Sequence, residues 1–130
     1  TLLMLFDTDI LIFIQRGHKK AAQIINDSPE RFISVQTYME LLQDAQNKQQ
    51  HTVILNFLED FNFQILPLTE NIGRHAANYV KAYSLSHNVR AGDAIIAATA
   101  VENNLTLITA NNKHFKPIKE LSLFVFKPET

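Results

Sequence analysis

Leu2-Leu3-Met4-Leu5-Phe6-Asp7-Thr8-Asp9-Ile10-Leu11-Ile12 stands at the head of the chain and changes character at Asp7. The apolar run over residues 2–6 is short and unbroken, the pattern of a strand covered on both faces, as parallel strands are. Residues 8–15 continue as a helical pattern, so a strand hands over to a helix with a carboxylate at the joint. The same handover recurs down the chain. Strand-like runs at 32–35, 63–66 (stopped by Pro67), 105–109 and a short edge strand at 123–126 alternate with helical patterns at 18–26, 37–45, 51–60, 70–85 and 93–101. This alternation predicts a three-layer α/β/α sandwich around a central parallel sheet of about five strands. Segment 93–101 is Ala-rich and apolar nearly all round, which predicts the most buried helix, ended by Asn103-Asn104.

No linker or repeat divides the 130 residues, so 1–130 reads as one domain, long enough to bury roughly two-thirds of its unfolded surface. With 46% hydrophobic and 19% charged residues and a net charge of -1, the chain has no global basic field to recruit nucleic acid. Any such binding must come from a local patch. The absence of cysteine excludes disulfides and thiolate metal sites. The first apolar run is too short for a signal or membrane-spanning segment, and a soluble cytoplasmic protein with no membrane partner is the expectation. Gly17, Gly73 and Gly92 form no phosphate-cradling or dinucleotide fingerprint, and the five histidines lack the paired spacing of a zinc site.

Right-handed crossovers bring the carboxyl ends of parallel strands to one edge, together with the N-termini of the helices that follow. Asp7 lies after the first strand, Glu40 one turn beyond the second, and Asp93 at the start of the Ala-rich helix. Topology therefore predicts that these distant carboxylates meet at one edge. Each acid also has a bland reading: Asp7 and Asp93 as helix caps, Glu40 as the partner of Thr37 in a Thr-x-x-Glu capping box. Gathered together, like charges raise one another's pKa, and helix N-termini offset part of that. A Mg²⁺ or Mn²⁺ ion, which prefers hard oxygen ligands, offsets far more. Thr109 and Asn111, after strand four, are neutral oxygen groups at the same edge, whereas Asn112 is expected to face away. Asp9, if helical, points away from Asp7 by about 200° and reads as a polar first-turn residue, or at most as the holder of a metal-bound water.

Four segments carry a family resemblance: Phe6-Asp7-Thr8-Asp9-Ile10-Leu11-Ile12, Ser34-Val35-Gln36-Thr37-Tyr38-Met39-Glu40-Leu41, Gly92-Asp93-Ala94-Ile95-Ile96-Ala97-Ala98-Thr99-Ala100, and Leu107-Ile108-Thr109-Ala110-Asn111-Asn112-Lys113-His114-Phe115. In order and spacing they resemble the PIN-domain ribonucleases, and within them the VapC-type toxins of prokaryotic toxin–antitoxin pairs. The resemblance implies an endoribonuclease using Mg²⁺ or Mn²⁺ held by Asp7, Glu40 and Asp93, with RNA as substrate, a cognate antitoxin as partner, and a homodimer. Many relatives place a fourth acid after strand four. Here Asn111, Asn112 and His114 stand there, so one tightly held ion is the expectation, with Asn111, Thr109 or Thr8 at a neutral fourth position or on the substrate.

Arg90 and Lys113 are candidate phosphate contacts, alongside His18-Lys19-Lys20, His114 and Lys116, all equally readable as solvated surface. The stripe Val53, Ile54, Phe57 and Leu58 reads as core, or as a groove for a partner helix. Two other functions compete. Asp7-Thr8-Asp9 matches the Asp-x-Asp of a haloacid-dehalogenase-like phosphatase, which needs a loop after Asp9 and a later lysine. The neutral fourth position motivates a non-catalytic domain that binds RNA or a protein partner.

Overall fold

The computed structural model describes residues 3–129, so Leu2 of the predicted first strand lies outside the described residues. The strands β1 (Met4–Phe6), β2 (Arg31–Ser34), β3 (Phe63–Leu66), β4 (Thr106–Thr109) and β5 (Leu123–Val125) are all parallel, in the order β3-β2-β1-β4-β5. Between them run the helices α1 (Thr8–Gln15), α2 (Lys19–Asp27), α3 (Val35–Asp44), α4 (Lys48–Asp60), α5 (Glu70–His87) and α6 (Ala91–Glu102).

Successive strand residues face opposite layers, as the pleat requires. Leu5, Phe32 and Leu107 pack with α5 and α6, through Ile72, Ala76, Tyr79, Ala94 and Ala97. Their neighbours Phe6, Ile33 and Ile108 face the other way, against Ile10, Leu11, Ile25, Leu41, Ile54 and Leu58 of α1 to α4. Two cores thus share one sheet, the three-layer arrangement the alternation predicts. Burying each large side chain contributes roughly 1.5–3 kcal/mol against conformational entropy. Helix α6 is the most buried, with Ala94, Ile96, Ala97, Ala98, Thr99 and Ala100 all inside. Small side chains there let α5 and α6 pack closely. Among the described residues no helix is long and apolar enough to cross a membrane.

Several element ends shift from the sequence reading by one to three residues, helix α4 for example starting at Lys48 and not at 51, and two of these shifts bear on the site. Helix α3 begins at Val35, not Thr37, because Ser34 caps it: its hydroxyl accepts from the Thr37 backbone N–H at 3.0 Å. Helix α6 begins at Ala91, which makes Asp93 its third residue. Helices α4, α5 and α6 are followed by Asn62, Asn88 and Asn104 with φ of 56°, 53° and 54°, the left-handed conformation that asparagine tolerates better than most residues.

The chain runs β1, β2, β3 outward on one side of β1, then returns to place β4 on the other side. Crossovers of one hand then put α1 to α4 on one face and α5 and α6 on the opposite face. The strand order reverses between β1 and β4, where open α/β sheets bind ligands. Asp7 and Thr109 stand at that point, and the Asp7 backbone N–H donates to the Ile108 carbonyl at 3.0 Å.

Candidate active site

Asp7 caps α1 from an extended conformation, φ -67° and ψ 157°, and its Oδ1 accepts from the Thr8 N–H at 2.8 Å. Its Oδ2 accepts from the hydroxyl of Thr109 at 2.6 Å. Thr109 is completely buried and Asp7 only 8% exposed. The Thr109 hydroxyl has one proton, and the 2.6 Å bond claims it; in return it accepts from the Asn111 N–H at 3.1 Å.

Asp9 joins this group, contrary to the sequence reading. Its Oδ2 accepts from the Ala110 N–H at 3.1 Å and lies 3.4 Å from the same Thr109 hydroxyl. A separation of about 200° presumes that both residues are helical. Asp7 is the cap, outside the helix, so its side chain swings to the side on which Asp9 lies. Asp9 Oδ1 is buried and has no hydrogen-bond partner among the described residues.

Glu40 is held apart from its capping-box reading. With α3 starting at Val35, Thr37 is inside the helix, and its hydroxyl serves a chain rather than a cap. Ser34 Oγ donates to Thr37 Oγ1 at 3.3 Å, Thr37 and Thr8 hydroxyls meet at 3.0 Å, and Thr8 Oγ1 donates to Glu40 Oε1 at 2.5 Å. Ser34 and Thr37 are fully buried. On the other oxygen, Gln36 Nε2 donates to Glu40 Oε2 at 3.0 Å. Gly92 of α6 closes the clamp: a Cβ there would stand 2.9 Å from Glu40 Oε2 and 3.1 Å from Gln36 Nε2.

Asp93 accepts through Oδ2 from the Arg90 backbone N–H at 3.3 Å, half of a capping box whose other half an arginine, having no acceptor, cannot make. The cap reading therefore holds, and the same carboxylate also acts electrostatically on Asp7. Among the described residues Asp93 Oδ1 has no hydrogen bond.

The electrostatics follow from burial. Desolvation raises the Asp7 carboxyl to about 7, helped by the charges of Asp9 and Asp93, against the Thr109 and Thr8 hydrogen bonds. Burial also raises Asp9, opposed by the Ala110 N–H among others. Asp93 is raised by burial and by Glu40, opposed by the Arg90 N–H and by the nearby His114 and Arg90 charges. Asp7, Asp9, Glu40 and Asp93 thus share one field.

A divalent cation fits this donor set. All the convergent groups are hard oxygens, and a buried carboxylate oxygen without a partner is costly unless something binds it. Among the described residues no three His, Cys, Asp or Glu side chains are grouped so that all could hold one metal ion directly. Mg²⁺ does not need one, since it commonly binds through one or two carboxylates and keeps several waters.

The remaining candidates are placed less uniformly. Asn111 and Lys113 are exposed, and Asn112 turns its carbonyl to the Phe115 and Lys116 N–H groups. Arg90 is exposed, with its guanidinium 3.5 Å from Asn88 Oδ1. His18 and Lys20 hold the C-terminal segment: His18 caps α2 and lies 3.0 Å from the Pro128 carbonyl, while Lys20 donates to the Lys127 carbonyl at 2.7 Å. Helix α1 runs on directly from Thr8, leaving no loop after Asp9 for a phosphatase of the Asp-x-Asp type.

Residues 4–121 match the PIN domain. The chain is 35% identical over 124 residues to Ribonuclease VapC10 of Mycobacterium tuberculosis, covering 92% of this chain and 90% of that protein. A solved toxin–antitoxin complex from Klebsiella pneumoniae contains a chain of TM-score 0.75 and 32% identity, covering 96% of this chain and 97% of that one. The structure of VapBC-1 from nontypeable Haemophilus influenzae contains another, with TM-score 0.78 and 25% identity, covering 95% and 98%. The fold, the acidic edge and these likenesses agree: the chain belongs to the PIN-domain family, among its VapC-type toxins.

Proposed function

We propose that this protein is a Mg²⁺- or Mn²⁺-dependent endoribonuclease that hydrolyses RNA phosphodiester bonds, acting in the cytoplasm as the toxin of a type II toxin–antitoxin pair. The observation that carries the reading is the convergence of Asp7 and Asp9 on the Thr109 hydroxyl, within the field of Glu40 and Asp93 and with Asp9 Oδ1 unpartnered. Relatives named as a ribonuclease and as toxin–antitoxin complexes support it.

Asp7, Asp93 and Glu40 would hold the ion. When bound, it supplies Lewis-acid polarisation of the scissile phosphate and a more acidic water. Thr109 fixes Asp7, and the Thr8 and Gln36 bonds fix both oxygens of Glu40. Asp93 would hold the ion through a bound water rather than directly, and its Oδ1 is the proton acceptor we assign, since Oδ2 is occupied by the Arg90 N–H and burial makes the carboxylate more basic. Such a hydrolysis needs no nucleophilic side chain.

The partner side of the proposal is a cognate antitoxin, as in the toxin–antitoxin structures this chain resembles. Val53, 60% exposed, leaves its stripe to line a groove of about 310 Å³ with Ile12, Leu41, Ala45 and Ile54, while Ile54 and Leu58 go to the core. That groove suits an apolar helix face. A homodimer belongs to the same reading.

The test is incubation of purified protein with single-stranded and structured RNAs in Mg²⁺, Mn²⁺ or EDTA. Divalent-dependent cleavage, lost in Asp7→Asn and Asp93→Asn, is expected. Cleavage in EDTA, or full activity in those variants, would sink the catalytic assignment.

A further inference from the structure

Beside the acidic edge lies an open groove of about 990 Å³ between the end of α5 and the segment joining β4 to β5. Among the described residues its lining includes Lys113, Lys116, Lys119, His87, His114 and Tyr83, and no carboxylate. That is a segregation of charge in a chain whose 13 acids outnumber its 12 lysines and arginines. The three lysines are exposed, and among the described residues none has an ion-pair partner. The groove is also joined to the site. His114 lines it, lies 3.3 Å through Nδ1 from the His87 carbonyl, and exerts its charge on Asp93. Asn88, another lining residue, meets the Arg90 side chain at the N-terminus of α6.

We infer that this groove carries the single-stranded RNA leading away from the scissile phosphate, its backbone phosphates on Lys113, Lys116 and Lys119. This rests on the nuclease reading and extends it to a binding subsite. An RNA cut at the carboxylate edge must continue past it, and a polyanion leaving four acids gains most where uncompensated ammonium groups begin. Electrostatic tracking of the backbone, with ring faces available to bases, is how strands are held without sequence readout. Tyr83 and His87, which line the groove, meet edge to face with ring centroids 6.2 Å apart at 85°, Tyr83 being packed partly against the core and His87 exposed.

Binding can be read apart from chemistry, by fluorescence anisotropy of a labelled single-stranded RNA in EDTA from about 50 to about 200 mM salt. Replacing Lys113, Lys116 and Lys119 by Gln is expected to weaken binding about tenfold or more and to flatten the slope of log K against log salt by about 2, near 0.7 per phosphate contact. The single variant Lys116→Gln should show about a third of that change, and Lys48→Gln, on the opposite face, none. Unchanged melting temperatures would confirm that these exposed substitutions leave the fold intact. Wild-type affinity and slope in the triple variant would overturn the inference, placing the strand elsewhere. So would retained RNA binding with lost binding of polyglutamate, which would assign the groove to an acidic protein segment. If the wild type cleaves no RNA in any divalent ion yet the triple variant still loses RNA binding, the nuclease reading fails and the groove stands.

Discussion

Glu40 is oriented by neutral donors rather than by charge, a hydroxyl on Oε1 and the Gln36 amide on Oε2. The chain from Ser34 through Thr37 and Thr8 ends on Oε1, and each member has a buried or half-buried place that keeps water out. Groups of this kind, one bond behind a metal-holding side chain, commonly govern metal affinity or activity by about 10- to 100-fold. Thr8→Val keeps the shape and removes the donor. It should lower single-turnover cleavage and weaken Mn²⁺ binding by calorimetry, each by at least about tenfold, with Thr8→Ser restoring both. Wild-type Mn²⁺ affinity in Thr8→Val would reduce the hydroxyl chain to packing. The sequence named Thr8 only as a neutral contact, and nothing in the pattern pointed to its role on Glu40. That role depends on α3 starting at Val35, which swings Thr37 and Glu40 into reach.

Among the elements, α3 and α6 pack together at the site, and Gly92 of α6 lies against Glu40 and Gln36 of α3. The glycine is there for space and not for backbone conformation: a methyl group would press on the ends of Glu40 and Gln36, both flexible side chains. Gly92→Ala should therefore cost little stability, since alanine favours a helix, while displacing Glu40. The expected outcome is a melting temperature near that of the wild type with cleavage reduced about tenfold or more. Equal activity would mean that Glu40 is free to move and not clamped. At the same scale, Asp93 was legible because a carboxylate at a helix start is a pattern the sequence states. Asp9 was misread because the geometry of a cap differs from that of the helix it opens.

For the whole molecule, the cost of the acidic edge is a stability term. The Asp7 carboxyl is raised from 3.8 to about 7, so the folded state binds its proton more tightly than the unfolded chain does. That contribution is complete below the unfolded value and is lost as pH rises through about 7; at 1.36 kcal/mol per unit it is on the order of 4 kcal/mol. The upward directions at Asp9 and Asp93 act with the same sign. In EDTA the melting temperature should fall between about pH 5 and about pH 8, and Asp7→Asn should flatten the fall. Mg²⁺ or Mn²⁺ should restore the wild type at the higher pH but act far less on Asp7→Asn. A melting temperature rising over that interval in EDTA would contradict the raised carboxyls. By itself, the sequence determined the strands, their parallel sheet, and the one edge to which Asp7, Glu40 and Asp93 are brought, because apolar periodicity records which way each element buries its side chains and handedness does the rest. Tertiary structure decided the addition of Asp9, the hydroxyl chain to Glu40 and the basic groove beside Asp93. Those depend on contacts such as Thr109 to Asp7, 102 residues apart, whose direction no local period records.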